Sequence, residues 1–299
     1  MSRYSEAIRA VFKGELLEQE PLSRRTSLKV GGPADIFAIP RDVDDIQRLL
    51  KVLDEQQIPL IVIGGGYNLL VRDGGFRGVA ISLEKINHLA VLPGGKIRAE
   101  AGGRNMDLAR LAETQGLSGL EFLVGIPGTV GGALRMNAGA HGGQIFDHLV
   151  SLDILGDNGL LTHDRKTLDY GYRSLQLDPN KIIIAANFKL AAGNREAIAT
   201  AMDACLQKRR EVQQVRFPNA GSFFKNPAGQ SAWRLIDQAG LRGMAVGGAQ
   251  VSEVHCNFLI NRGNATATDF LNLAALVKEK VFAASGIELE EEVRITGED

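Results

Sequence analysis

Between residues 35 and 66 the apolar positions change period twice. DIFAIP alternates, as a half-buried strand does. DVDDIQRLLKVLDEQQ follows, with Ile46, Leu49, Leu50 and Leu53 at helical spacing and aspartates in its first turn, where the helix dipole favours them. IPLIVIGGG is a short, fully apolar run that ends in glycine. Together the three predict a strand–helix–strand unit. Further strands are expected in FRGVAISL, GGKIRAEAGG, HLVSLDIL and KIIIAANFKL, and a helix in NMDLARLAETQG. The pattern breaks at AAGN, residues 191–194, which places a domain boundary after residue 192. Asn194 is suited to cap the next helix, whose apolar face is Ile198, Ala201, Met202, Cys205 and Leu206. Beyond it VSEVHCNFLIN and LEEEVRITG read as strands, and SAWRLIDQAG and TATDFLNLAALVKEKVFAAS as helices. The expected class is α+β, with no internal repeat.

Composition narrows the field. With 299 residues, 44% of them hydrophobic, the chain exceeds one ordinary core and suits two or three compact units. A net charge of -1 lacks the electrostatic footprint of a nucleic-acid binder. Cys205 and Cys256 form no CxxC and read as thiols in a reducing compartment. The first twenty residues are amphipathic without a long apolar core, so no secretory signal is expected, and no run reaches the ~20 apolar residues of a membrane span. A soluble cytoplasmic protein without membrane partners is expected, and composition gives no reason to exclude a monomer.

Two glycine-rich segments carry the candidate chemistry. One is Gly64-Gly65-Gly66-Tyr67-Asn68-Leu69-Leu70. The other, residues 125–143, reads GIPGTVGGALRMNAGAHGG; seven of its nineteen residues are glycine, lysine and acids are absent, and Arg135 is the lone permanent cation. Glycine permits positive φ and close approach to the backbone, and successive N–H groups make an anion-binding concavity. Neither GxxxxGK[ST] nor a GxGxxG fingerprint with its following acid is present, which argues against a P-loop or an ordinary dinucleotide fold. The pattern suits a diphosphate held by main-chain amides, with apolar walls for a planar ring. Tightly packed loops are the alternative.

These segments, with TSLKVGGPA, GLEFLVG, GYRS, NAGSFFKNP and LEEEVRITG in the same order, resemble the UDP-N-acetylenolpyruvoylglucosamine reductase family over nearly the whole chain. The glycine loops alone resemble the wider group of vanillyl-alcohol-oxidase-type FAD domains. The resemblance implies an FAD-binding region at 1–192 and a smaller α+β substrate-binding domain at 193–299. It implies NADPH-dependent, FAD-mediated reduction of a small-molecule nucleotide sugar, an enolpyruvyl ether, in peptidoglycan precursor synthesis, with FAD bound non-covalently. The implied cofactor contacts are Gly64, Gly65, Gly66, Tyr67, Asn68, Leu69, Gly103, Gly125, Pro127, Gly128, Thr129, Gly131, Gly132, Asn137, Gly139 and Ala140. Tyr67 stands where the family usually has serine.

The resemblance also supplies the catalytic set. Ser222 is its proton donor; read alone, a serine after Gly221 is a turn residue. Glu292, in the run Glu290-Glu291-Glu292, is its active-site carboxylate, and in an extended segment it would share a face with Glu290 while Glu291 points away. Arg173 is its carboxylate-binding guanidinium. Tyr172, Arg173, Lys225 and Asn226 are its substrate contacts. Val212 and Gln214 depart from the family run there, leaving Arg210 or Arg216 as candidates for the substrate diphosphate. The histidines, His88, His141, His148, His163 and His255, show no metal-ligand grouping and are read as structural, so no metal is expected. Two other functions stay open: a flavin oxidase on the same scaffold, with His141 as a covalent tether, and a non-catalytic flavin-binding module.

Overall fold

The structure, a computed structural model, describes residues 5–213 and 215–299, and the side chains of all of these except Val212 and Gln213. The helices are α1 (Ser5–Val11), α2 (Val43–Glu55), α3 (Asn105–Thr114), α4 (Val130–Arg135), α5 (Arg195–Gln213), α6 (Ala232–Gln238) and α7 (Ala267–Ser285). Mixed helix and strand content agrees with the α+β expectation. The chain forms two compact units. The first comprises Met1–Glu18, Asp35–Gly65 and Gly78–Arg209, and the second Gln19–Ala34, Gly66–Arg77 and Arg210–Asp299.

In the first unit the strand–helix–strand reading holds in outline. Strand Pro33–Ile39 leads to α2 and then to a strand of only three residues, Leu60–Val62. The last pairs in parallel with Phe76–Ile81 (Leu60 opposite Val79), which lies between it and Pro33–Ile39 in a four-stranded sheet. α2 begins where Asp42 accepts the Asp45 N–H at 2.8 Å. The fully buried Asp45 carboxylate is matched by the N–H groups of Lys13 and Arg41 and by the Arg48 guanidinium. A five-stranded antiparallel sheet runs in the order Gly159–Asp164, Leu149–Gly156, Ile182–Lys189, Lys96–Glu100, Leu89–Leu92. Its apolar faces and α2, α3 and α4 share one core, which includes Ile46, Leu49, Ile97, Leu108, Leu134, Ile154 and Phe188.

The contiguous break expected after residue 192 is not where the units divide. Asn194 does cap α5, accepting the Ala197 N–H at 3.0 Å. The stripe Ile198, Met202, Cys205 and Leu206 then packs on the first unit's core, so most of α5 belongs there; Ala201 is exposed. In the other direction, Leu28, Val30 and Leu70 are buried in the second unit's core with Phe223, Phe224, Phe270 and Val277. Two N-terminal stretches therefore belong to the later unit.

The second unit pairs Leu69–Val71 in parallel with Arg294–Thr296 and holds a three-stranded antiparallel sheet, Ala245–Val246, Ala249–Val251 and Leu259–Asn261. The stretch read as one strand, VSEVHCNFLIN, is broken by a turn in which Ser252 Oγ accepts the N–H groups of Val254 and His255. α7 opens with a Thr266/Asp269 capping box and ends on Gly286 at φ 71°. Asp73 adds an anion at that N-terminus, accepting from Ala267 N–H, Thr268 N–H and Thr268 Oγ1 at 2.7–2.8 Å.

Candidate active site

The first unit brings most of the glycine positions together. A Cβ on Gly64 would lie 2.4 Å from the Thr129 hydroxyl, so only glycine lets the start of the first segment touch the second. Val130 N–H donates to Gly103 O and Gly131 N–H to Ala101 O, both at 2.8 Å, and Thr129 Oγ1 caps α4 by accepting from Gly132 N–H. Gly128 accepts the Asn105 N–H at 3.1 Å. Gly139 and Ala140 pair with Gln144 and Gly143. The Gly125 carbonyl accepts from the Arg209 guanidinium near the end of α5. Gly64, Gly65, Pro127 and Gly132 are exposed, and among the described residues no protein acceptor takes the N–H groups of Gly64 and Gly65.

Arg135 and Asn137 have other work. Arg135 donates to the carbonyls of Leu175 (2.8 Å) and Leu177 (2.9 Å). Asn137, buried at φ 39°, donates to Gln144 Oε1 and to Gly171 O, both at 3.0 Å. Both grip the hairpin Tyr170–Gly171/Ser174–Leu175, whose two-residue turn is Tyr172-Arg173. Tyr172 is exposed, and the Arg173 guanidinium lies 5.3 Å from its ring centroid. The lone cation of the glycine-rich segment is therefore a structural pin. His141 is exposed at φ 56°.

The second unit carries the rest. Gly66 has φ 66°, and a Cβ there would lie 2.1 Å from Arg25 O. Tyr67 is exposed, Asn68 half-buried, and Leu69 opens the strand beside Arg294. Gly221, at φ 73°, donates its N–H to Asn219 Oδ1 at 3.0 Å, a turn that presents Ser222 before the buried Phe223 and Phe224. Asn257 clamps that pair. Its carbonyl accepts Phe223 N–H, its Oδ1 accepts Phe224 N–H, and its Nδ2 donates to Phe224 O, at 2.7–3.0 Å.

The Glu292 N–H donates to Phe223 O at 2.8 Å, which pairs the backbone of Glu292 with that of the residue after Ser222. Lys225 N–H donates to Glu290 O, and Lys225 Nζ pairs with the Glu290 carboxylate. Glu291 turns the other way and pairs with Lys278 of α7 at 3.1 Å, as alternation predicts, although the regular strand is only Arg294–Thr296. Asn226 Oδ1 caps the approach to α6 by accepting Ala232 N–H at 3.0 Å. Ser222, Glu292, Lys225 and Asn226 thus share the second unit, while Tyr172 and Arg173 belong to the first. Arg210 and Arg216 are exposed; Gln214 and the side chain of Val212 lie outside the described residues. Little in the sequence marks Asn257, one of two asparagines in the stretch VSEVHCNFLIN.

Comparison with known proteins decides the family. Residues 213–296 match the model described as UDP-N-acetylenolpyruvoylglucosamine reductase, C-terminal domain, and residues 34–164 match the FAD binding domain. The chain is 58% identical over 290 residues to the UDP-N-acetylenolpyruvoylglucosamine reductase of Geotalea uraniireducens, covering 97% of each chain. It belongs to the UDP-N-acetylenolpyruvoylglucosamine reductase family. The reductase of Geobacter sulfurreducens is 54% identical over 297 residues, with 99% of each chain covered. The crystal structure of the reductase from Thermus caldophilus superposes with a TM-score of 0.81 at 34% identity, covering 95% of this chain and 98% of that one.

The residues present fit a flavin dinucleotide. Exposed N–H groups at Gly64 and Gly65, bare backbone at Gly125 and Gly142 with nothing within 4 Å of an added Cβ, and a segment free of lysine and acids suit an uncharged cradle for a diphosphate. Among the described residues no group of histidine, cysteine and carboxylate side chains could hold a metal ion, and no helix is long and apolar enough to cross a membrane.

Proposed function

We propose that this chain carries out NADPH-dependent reduction of UDP-N-acetylglucosamine enolpyruvate to UDP-N-acetylmuramate in the cytoplasm. FAD, when bound, supplies the hydride, taken from NADPH, that adds to the terminal carbon of the enol ether. Gly64 and Gly65, with Gly125, Pro127, Gly128, Thr129, Gly131, Gly132, Asn137, Gly139 and Ala140, hold its diphosphate and ring, together with Gly103 and with Gly66, Tyr67, Asn68 and Leu69, which continue the first loop.

Addition at the terminal carbon places negative charge on the neighbouring carbon and its carboxylate. Arg173 binds that carboxylate with a planar fork and offsets the developing charge. Ser222 delivers the proton to the neighbouring carbon, and Glu292, as the protonated acid, donates a hydrogen bond to the developing charge as the proton moves. Tyr172, Lys225 and Asn226 orient the nucleotide sugar. The observation that supports this reading is the backbone contact from Glu292 N–H to Phe223 O, which ties the segment of the carboxylate to the residue that follows Ser222.

The test is anaerobic. The purified yellow protein is reduced with one equivalent of NADPH and mixed with UDP-N-acetylglucosamine enolpyruvate. Rapid return of the oxidised flavin spectrum with formation of UDP-N-acetylmuramate is expected. A flavin that stays reduced until air is admitted would overturn the substrate and favour an oxidase. Ser222→Ala is expected to keep reduction by NADPH and to slow reoxidation by the enolpyruvate on the order of a hundredfold or more.

A further inference from the structure

We propose that Arg135 and Asn137 are positioning residues for Arg173, so that the glycine-rich segment sets the substrate-binding guanidinium as well as the flavin. The proposal rests on the reading of Arg173 as the group that holds the substrate carboxylate. Arg173 sits at φ 56°, in the left-handed region that a side chain enters only when its surroundings hold it there. Its own hairpin offers little hold, with two residue pairs, Tyr170 with Leu175 and Gly171 with Ser174. Such a short ribbon does not persist alone in water.

The hold comes from residues 135–146. Asn137 Nδ2 donates to Gly171 O on the strand entering the turn, at 3.0 Å. The Arg135 fork spans two carbonyls beyond it, Leu175 O at the end of the strand leaving the turn, at 2.8 Å, and Leu177 O two residues on, at 2.9 Å. Phe146 stacks on Tyr170, with ring centroids 4.3 Å apart. Both strands of the hairpin are thus hung from one segment, on either side of Tyr172-Arg173. A guanidinium suits the task because its donors diverge in a fixed plane and reach two acceptors at once, which an ammonium does less well. This gives a task to the one arginine in a stretch that otherwise excludes lysine and acids: it donates to main-chain carbonyls.

The experiment compares Arg135→Gln, Arg135→Lys and Arg173→Ala in the FAD-loaded enzyme. Three quantities are read: FAD dissociation by flavin fluorescence, the rate of flavin reduction by NADPH, and KM and kcat for UDP-N-acetylglucosamine enolpyruvate. Arg135→Gln is expected to raise the KM about tenfold, as displacement of a positioning group does, while FAD dissociation and reduction by NADPH change by no more than about twofold. Arg135→Lys should fall between wild type and Arg135→Gln. Added to Arg173→Ala, Arg135→Gln should raise the KM no further, because both act through one group. An unchanged KM in Arg135→Gln, with Arg173→Ala impaired, overturns the positioning role. Parallel loss of FAD binding and both half-reactions also overturns it, in favour of a purely structural one. If Arg173→Ala itself leaves the KM unchanged, the assignment of Arg173 fails and the proposal fails with it, a result separable from the other two.

Discussion

Asn68 is joined directly to Glu292, 224 residues away in sequence, and again to the strand that follows it. Its side-chain amide donates to Glu292 O at 3.0 Å, and its own carbonyl accepts the N–H of Arg294 at 3.1 Å. From there Leu69–Val71 runs parallel to Arg294–Thr296. Asn68, two residues after the first glycine run, therefore fixes the register of the segment that carries the carboxylate. A one-residue slip in such a ladder would turn the Glu292 side chain to the opposite face.

Asn68 is thus expected to matter for the substrate half-reaction as well as for the cofactor. Asn68→Ala should slow reoxidation of reduced flavin by the enolpyruvate about tenfold, the cost of a small misplacement at the reacting centre. FAD dissociation should rise less. Stopped-flow reoxidation and flavin fluorescence on the same preparation separate the two effects. A large change in FAD affinity with unaltered reoxidation would confine Asn68 to the cofactor.

Asn257 does for Ser222 what Asn68 does for Glu292. Its amide closes both hydrogen bonds of the fully buried Phe224 backbone. Asn257→Ala leaves that N–H and C=O without partners, and the expected loss of stability is about 2 to 3 kcal/mol in urea titration. At temperatures where the variant is folded, reduction by NADPH should persist while reoxidation by the enolpyruvate slows. A variant that loses stability and keeps wild-type reoxidation would show that Ser222 is held by other means.

These amides also mark the limit of what the sequence makes legible. Period alone locates α2, the strand Ile182–Lys189 and the apolar stripe on α5, since those signals are local. It does not tell which core the stripe on α5 covers, nor that Leu28, Val30 and Leu70 pack with Phe223 and Val277. Such partners are distant in sequence and leave no periodic trace. Ser222, Glu292 and Arg173 were found through family resemblance, because a serine in a glycine turn, a glutamate among three and an arginine in a short hairpin look like surface residues. Arg135 stood out as the odd cation of its segment, yet the carbonyls it serves, some forty residues on, could not be read from the chain.

Asp73 ties one of the N-terminal stretches of the second unit to α7. Burial acts to raise its carboxyl, but the Thr268 hydroxyl and the N–H groups of Ala267 and Thr268 outweigh it and hold the group below its ordinary value of 3.8. A carboxylate with a depressed folded value contributes stability above its unfolded pKa and loses it as pH falls through the folded one. Asp73→Ala should therefore cost about 1 kcal/mol at neutral pH, the usual worth of a helix cap, and Asp73→Asn less, because an acceptor remains. The gap between wild type and Asp73→Ala should narrow below pH 4, where the wild-type carboxyl takes up its proton. Urea midpoints at pH 7 and pH 3.5 measure both, and a gap that is constant with pH would show that the charge contributes nothing.

His255 gives the opposite end of the scale a marker. Its ring lies 4.6 Å from that of Phe258 and 6.4 Å from that of Trp233, and its Nδ1 is buried without a hydrogen-bond partner. Burial is the main cause that pushes its pKa below the ordinary 6.5, and the nearby Arg242 adds to it. The unfolded chain therefore binds a proton that the folded chain refuses between those two values. Stability from this group is fully present above about pH 6.5 and is lost as pH falls through the lower folded value. His255→Phe removes both the titration and the orphaned nitrogen while keeping an aromatic ring between Trp233 and Phe258. Thermal melts from pH 8 to pH 5 should then show a shallower decline in Tm for the variant than for wild type, with the two curves diverging below pH 6.5. Parallel curves over the whole range would mean that His255 is protonated as readily in the fold as outside it, and that its environment is wetter than its neighbours imply.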